Sequence, residues 1–451
     1  AIGALYPTNL SDIYTYLLLG IAAVVYVIWR YPHPGPLPKG EGVKRLALLI
    51  GGALLLTALA KGLYQPYAHW YSQGYSEFKI WPGSHTPTSD YLTHWGLFLF
   101  VIVSWMIAET IDWMANTPVS ALRKLEPYRN WIVTGLILLV SLILLLGINL
   151  PVEDGVDTRL PLGLGIHIVW FVLPLVAWAG VLMLRPETSD TKRFVLFLFG
   201  TALLLTLTVE IIYVIGDIGR MNSVFKFYLH AWLLFSVSAA AALGWLLPQV
   251  GRWKSNGRAI WQVALAFLLM VAGLYPLVGS FAKIEDRMSA DAPHSLDGMA
   301  YMQTATYYDE GAELKLSEDY AAIRWMQENI PGSPVIVEGN QVEYHWGTRY
   351  TIYTGLPSVV GWNWHQRQQR TIVPHDWVYE RVDGTHEFYL TEDIAWAQDF
   401  LQRYDVSYIV LGQFERTKYT GAGLEKFTMY EGQLWTEVFR LGDTVIYQVL
   451  R

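Results

Sequence analysis

Apolar residues gather along the first part of the chain into eight stretches: Ile13 to Trp29, Leu46 to Leu63, Leu92 to Ile111, Trp131 to Leu150, Leu162 to Leu184, Phe194 to Ile215, Val224 to Leu247 and Ile260 to Phe281. A helix needs about 20 predominantly apolar residues to cross the hydrocarbon of a bilayer. The pattern therefore predicts an α-helical polytopic membrane domain of about eight spans over residues 1–282. From about Lys283 onward no run is long enough to span, and the apolar residues come in short blocks.

Those blocks predict an irregular linker over residues 283–315, then a small external α/β domain over residues 316–451. Ser317 is a helix N-cap candidate with Glu318 and Asp319 in the first turn, and Pro331-Gly332 stops that helix. PVIVE, ending at Glu338, has the composition of a short buried strand. Thr391 is a cap candidate for a second helix through about Tyr404, and VSYIVLG from Val406 is another apolar strand. Helix then strand, twice, predicts a parallel pair covered by helices. The final EVFRLGDTVIYQVL alternates around Gly442-Asp443 as a hairpin does.

Composition agrees with the pattern: 451 residues, 53% hydrophobic and only 16% charged are too apolar for one water-soluble domain of this length. The net charge of −7 is spread out, with no basic stripe, so nucleic acid is not an expected partner. With no cysteine, disulfides, thiolate metal sites and Cys nucleophiles are excluded.

Lys and Arg set the orientation, because short cytoplasmic loops are enriched in them. They cluster between the first two stretches (Arg30, Lys39, Lys44, Arg45), the third and fourth (Arg123, Lys124, Arg129), after the fifth (Arg185, Lys192, Arg193) and after the seventh (Arg252, Lys254, Arg258). This alternation places the N-terminus and the C-terminal domain outside the cytoplasm of a multi-pass cell-membrane protein. An external Ala1 that is not an initiator Met has two readings, a cleaved signal sequence or a longer protein whose earlier spans precede it.

Ionisable groups at membrane depth are costly and are usually paired or functional. Glu210 lies near the outer end of the sixth stretch, and Asp217, Arg220 and Lys226 follow into the seventh. Arg220 and Lys226 suit a lipid phosphate, with Glu210 or Asp217 orienting them or acting in catalysis; the alternative is an ion-paired loop that fixes two spans. In the external domain the run GWNWHQRQQR offers His365 as an acid or base, Arg349, Arg367 and Arg370 as anion clamps, and Trp362 and Trp364 as sugar or headgroup platforms. The alternative there is a polar turn whose Arg residues pair with acids such as Glu338 and Glu343.

Loop acids Glu77, Asp90, Glu153, Asp154 and Asp157 are hard ligands of the kind Mg²⁺ or Mn²⁺ takes, with His85 and Arg159 in the same loops, although solvated loop acids explain them better. His69, His85, His94, His167 and His230 would suit a haem, a pigment or a metal, but show no diagnostic spacing.

The segments VEIIYVIGDIGRMNSVFKFYLHAWLL and TRYTIYTGLPSVVGWNWHQRQQR resemble the YYY family of bacterial and archaeal multi-pass membrane proteins, a domain of unknown function. The likeness extends over roughly Leu92 to Val410, and members are usually longer at the N-terminus. That family is distantly similar to GT-C glycosyltransferases, which include the oligosaccharyltransferase catalytic subunit and protein mannosyltransferases. The resemblance implies transfer of a sugar from a polyprenyl-phosphate carrier at the outer face, in contact with membrane lipids. The acidic residue that such enzymes carry in a first external loop has no assigned counterpart here. The oligosaccharyltransferase WWDYG motif is also absent, the corresponding region reading EGNQVEYHWG.

Two function classes follow. One is a GT-C-like glycosyltransferase acting on a lipid-linked sugar. The other is a non-catalytic subunit that anchors a larger membrane complex, with a pigment or haem as one option.

Overall fold

The structure is a computed structural model that describes residues 2–8, 10–30, 41–71, 77–148, 164–215, 218–371 and 373–450. Asp217, the 31–40 Pro-rich loop and the loop acids Glu153, Asp154 and Asp157 with Arg159 lie outside the described residues. The chain divides into two compact units, residues 1–65 with 75–279, and residues 66–74 with 280–451.

In the first unit a short helix α1 (Leu5–Thr8) precedes the apolar stretches, and every stretch forms a helix: α2 (Leu10–Arg30), α3 (Glu41–Gly62), α5 (Thr88–Asn116), α6 (Arg129–Gly147), α7 (Val169–Leu184), α8 (Asp190–Ile211), α9 (Arg220–Val250) and α10 (Ser255–Leu274). The short α4 (Gln65–Trp70) lies between α3 and α5. Among the described residues five helices are long and apolar enough to cross a membrane: Thr88–Asn116, Leu125–Gly147, Asp190–Ile211, Arg220–Val250 and Ser255–Arg287. The apolar helices Asp12–Ile28, Leu46–Gly62 and Val169–Leu184 are shorter. Trp95 and Trp105 of α5 are buried in one core with Phe199 of α8 and Phe235 of α9.

The sixth stretch does not stay helical to Ile215. Its helix ends at Ile211, and Ile212–Val214 (β2), two β-branched residues around an aromatic one, pairs antiparallel with Phe78–Ile80 (β1). This small sheet brings the 78–86 segment to the end of α8.

The second unit opens with α11 (Ser280–Arg287). The stretch read as irregular linker contains a hairpin, β3 (Thr306–Asp309) against β4 (Ala312–Lys315). Its two-residue turn, Glu310-Gly311, takes positive φ at both positions (49° and 82°), as a type I′ hairpin turn requires. Then come α12 (Leu316–Asn329), β5 (Val335–Val337), α13 (Arg349–Thr354), α14 (Asn363–Gln369), α15 (Asp376–Leu390), α16 (Ile394–Arg403), β6 (Val406–Leu411), α17 (Gln413–Lys418), β7 (Trp435–Leu441) and β8 (Thr444–Val449).

The four long-range strands are ordered β5-β6-β8-β7. As the pattern predicted, β5 and β6 are parallel and β7 and β8 form a hairpin. Successive residues of each strand enter opposite cores, because strand side chains alternate between faces. Ile336, Val410 and Ile446 join Ile323 and Met326 of α12, whereas Val337, Ile409 and Val445 join Phe388 and Tyr389 of α15 and Phe400 of α16. The outer side of β5 is covered: Ile336 N donates to Pro357 O at 2.9 Å, and Val359 N to Ile336 O at 3.2 Å.

Two caps differ from expectation. Helix α12 starts two residues earlier, after Lys315, so Ser317 lies inside it, and Glu318 accepts instead from Asp443 N at 3.0 Å. Thr391 ends α15, while Asp393 caps α16, accepting from Ala395 N and Trp396 N at 2.9 and 3.2 Å. An Asp carboxylate is the stronger acceptor for orphan helix N–H groups.

Candidate functional site

Glu210 is fully buried at the last turn of α8, and the β1–β2 pairing delivers its partners. Thr86 donates twice, from its backbone N at 3.0 Å and its hydroxyl at 2.5 Å. His85 Nδ1 lies at 3.2 Å, and Arg220, the first residue of α9, places Nη2 2.6 Å from Oε1. Arg220 is itself fixed: Nε donates to Val209 O at 3.0 Å, Nη1 to Ser84 O at 3.1 Å, and the guanidinium lies over the Trp81 ring. Such a carboxylate is fully satisfied, and the cage ties α8 and α9 to the 81–86 segment. Lys226 is half-buried on α9 and does not join it.

A second polar cluster in this unit escaped the sequence reading. His230 is buried, with Nε2 2.7 Å from Asp12 Oδ1 and Nδ1 2.9 Å from the Thr15 hydroxyl, and so links α9 to α2. Both ring nitrogens are engaged, which leaves neither for a metal or haem. Asp12 sits 218 residues away in sequence, so no local spacing signals it. Among the described residues no group of three or more His, Asp or Glu side chains is arranged to hold a metal ion.

In the second unit Arg349, an expected anion clamp, is only 1% exposed. Its Nε donates to Asp319 Oδ2 at 2.7 Å, and Nη1 and Nη2 fork onto the two oxygens of Glu415 at 3.0 and 2.9 Å. Glu415 also accepts from Gly339 N and Gly412 N. A Cβ on Gly412 would lie 2.8 Å from Arg349 Nη2, so only glycine lets β6 end this close to the ion pair. Burial opposes ionisation of Glu415, yet the Arg349 guanidinium and the two backbone N–H groups hold its carboxyl below the usual range. Arg349 cannot serve a ligand without stripping two buried carboxylates. The structural alternative therefore describes it, although with partners other than Glu338 and Glu343.

Glu338, at the end of β5, accepts from Tyr350 N and Thr351 N at 2.8 and 2.9 Å. Burial outweighs these donors and nearby Arg349, and pushes the carboxyl from 4.5 up to about 7. Between those values the folded chain holds a proton that the unfolded chain has lost, so stability falls as pH rises through the window. Relative to Glu338→Gln, which does not titrate, the wild type is expected to lose on the order of 3 kcal/mol of unfolding free energy from the lower to the upper end of the window. A constant difference across the window would refute the assignment.

The GWNWHQRQQR run forms α14, whose N-terminal backbone is met by Glu343, which accepts from Trp364 N. His365 Nε2 is 3.1 Å from the Tyr344 hydroxyl, while His365 Nδ1 and Trp362 Nε1 are buried without partners among the described residues. Arg367 Nε donates to Asn363 Oδ1 at 2.8 Å, and its guanidinium sits between the Trp364 and Tyr379 rings.

One face of α14 lines a cavity of about 870 Å³ through Gln366, Gln369 and the following Arg370. Pro357, Val359, Val360, Trp377 and Val378 make its walls apolar, Tyr67 and Tyr71 of the 66–74 segment contribute aromatic surface, and Arg381 adds a second cation. Arg370 is exposed and has no ion-pair partner among the described residues.

Of the expected site residues, the fold brings together Glu210 with Arg220, and Trp362 with His365. Arg370, Gln366 and Gln369 meet at the larger cavity, where the two glutamines had drawn no attention. Their signal was the helical spacing of 366, 369 and 370, which puts them on one face.

No curated protein matches the chain. The segment around Glu210 and Arg220 falls inside the region shared with a family of membrane proteins, and α14 falls outside it. That family is described as uncharacterized membrane protein (DUF2298); its model matches residues 1–235, more than half of the 451, and the chain belongs to it.

Proposed function

We propose that the protein is a GT-C-like membrane glycosyltransferase, or a diverged relative, that takes a sugar from a polyprenyl-phosphate carrier. In this reading the eight apolar helices all span, and residues 280–451 lie on the extracytoplasmic side. The observation that carries it is the 870 Å³ cavity, which joins apolar walls to the unpaired guanidinium of Arg370 and to two side-chain amides. Prenyl carbon suits the apolar walls, sugar hydroxyls suit amides that both donate and accept, and a phosphate suits Arg. Transfer breaks the bond between the anomeric carbon and the phosphate oxygen while an acceptor heteroatom attacks that carbon. The charge then grows on the phosphate, where Arg370 neutralises it. The proton that the nucleophile releases goes to the departing phosphate; His365, whose Nδ1 is buried and which does not line the cavity, is not placed to take it.

Full-length protein in nanodiscs is expected to bind an undecaprenyl-phosphate-linked hexose, and Arg370→Ala to weaken that binding about tenfold or more, the worth of one charge-assisted contact. Undiminished binding in the variant, or none in the wild type, would overturn the reading.

The closed state of the Glu210 and Arg349 clusters favours a second reading, a non-catalytic subunit that anchors a membrane complex. It predicts no lipid-linked sugar binding at all.

A further inference from the structure

The 66–74 segment belongs to the second unit, although residues 1–65 and 75–279 on either side of it belong to the first. It is a strap supplied from between α3 and α5. Tyr71 N donates to Tyr67 O at 3.0 Å, so the two tyrosines lie one helical turn apart. Their rings stack, with centroids 4.9 Å apart and 20° between the planes, and both line the 870 Å³ cavity. We infer that this pair is the seat of the hydrocarbon of a prenyl monophosphate, so that the carrier's first isoprene units lie on the strap while its phosphate meets Arg370.

The lining divides by chemistry. Gln366, Gln369 and Arg370 supply hydrogen-bonding groups, whereas Tyr67, Tyr71, Val373 and Val378 supply rings and branched aliphatic surface. No Asp or Glu stands among the described lining residues, so no carboxylate there repels a phosphate. A free sugar phosphate would leave the tyrosines and valines facing water, and a hydrocarbon tail covers them. Both tyrosines are half-buried, so their rings keep surface for a ligand to cover. A stacked ring pair with few torsions is also ordered before binding, which lowers the entropy lost on association. At about 30 Å³ for each water-sized group, the 870 Å³ hold roughly 30 non-hydrogen atoms, close to a hexose phosphate with about three isoprene units. A longer carrier leaves past Trp377, which lines the cavity yet is 57% exposed.

The inference deepens the glycosyltransferase reading and rests on it for the class of carrier, but its test leaves the sugar out. Full-length protein in nanodiscs is irradiated with farnesyl phosphate carrying a diazirine at its hydrocarbon end, and labelled peptides are read by mass spectrometry. Label on α6, which buries only Ile143 and Leu146, reports probe dissolved in the bilayer and is the reference. Residues 65–71 and 373–381 are expected to label above that reference. Label on 373–381 is expected to fall about tenfold in Tyr67→Ala and in Tyr71→Ala, the effect of losing one covered ring. Tyr67→Phe and Tyr71→Phe keep the rings and are expected to stay within about twofold of wild type. Dodecyl phosphate, a straight-chain lipid phosphate, is expected to compete about tenfold less well than unlabelled farnesyl phosphate. The inference is overturned if 65–71 labels no more than α6, if the Ala variants label like wild type, if the Phe variants lose as much as the Ala ones, or if dodecyl phosphate competes equally. Should an Ala variant fail to fold, the Phe variants and the competition still decide. The lipid-linked hexose is scored apart: if it fails to bind while farnesyl phosphate labels the cavity, the glycosyltransferase reading falls and the prenyl phosphate site stands, and the opposite pair of results sinks the site alone.

Discussion

Arg349→Ala is expected to destabilise the 280–451 unit by about 3–5 kcal/mol, the usual result of removing one partner from a buried ion pair. The loss is not the worth of three hydrogen bonds alone. Asp319 and Glu415 remain, 4% and 0% exposed, as carboxylates whose positive partner has gone, and Glu415 sits where α17, β5 and β6 converge. A conservative Lys would not restore the fork, because a single ammonium cannot donate in plane to both oxygens of Glu415 and also to Asp319. The absence of native cysteine makes the measurement direct. With Ala397→Cys as a buried reporter in the full chain, the thiol-labelling rate is expected to rise by about two to three and a half orders of magnitude, tenfold per 1.4 kcal/mol. A rise below tenfold would mean that the triad is dispensable.

Arg220→Met is expected to cost a similar amount, about 3–5 kcal/mol, in the first unit, for a related reason with a sharper control. Glu210 loses its only Arg or Lys partner among the described residues and Ser84 O keeps only the Trp81 indole N–H of its two donors, although Thr86 and His85 remain as hydrogen-bond partners of Glu210. Replacing both members, Glu210→Met with Arg220→Met, removes the stranded charge, so the double variant is expected to be more stable than the Arg220 single variant. Unfolding of the detergent-solubilised protein in each corner of the cycle gives the coupling directly. If the double variant is as unstable as the sum of the singles, the two side chains are not coupled and the cage account fails.

Apolar periodicity carried the helical part of the fold far, because a bilayer leaves few options: each of the eight stretches is a helix, and α12, α16, the parallel β5–β6 pair and the β7–β8 hairpin followed from strand and helix signals. What it missed is informative. Helix α15 was not foreseen, since DWVYERVDGTHEFYL buries only Val382, Thr385, Phe388 and Tyr389 and so carries a weak apolar stripe. The β3–β4 hairpin was invisible because Glu310 is an unusual residue for a left-handed turn position. Site chemistry was less legible than fold. For the cations a ligand-binding and an ion-paired reading both stayed open, because sequence shows a charge but not its partner: Asp319 and Glu415 lie 30 and 66 residues from Arg349, and His85 lies 125 residues from Glu210. Only Arg370 kept the exposed, unpaired state that the run GWNWHQRQQR advertised.

The covered side of β5 has a consequence for self-association. With the Pro357–Val359 segment bonded along one border of the sheet, β7 is the remaining border to which a foreign strand could add. That border is guarded. The register of β7 slips between Glu437 and Phe439, and the Glu437–Arg440 ion pair crowds the same stretch with charge. Bulged, charged borders template poorly, so the β7 border resists amyloid-like growth without a proline in β7.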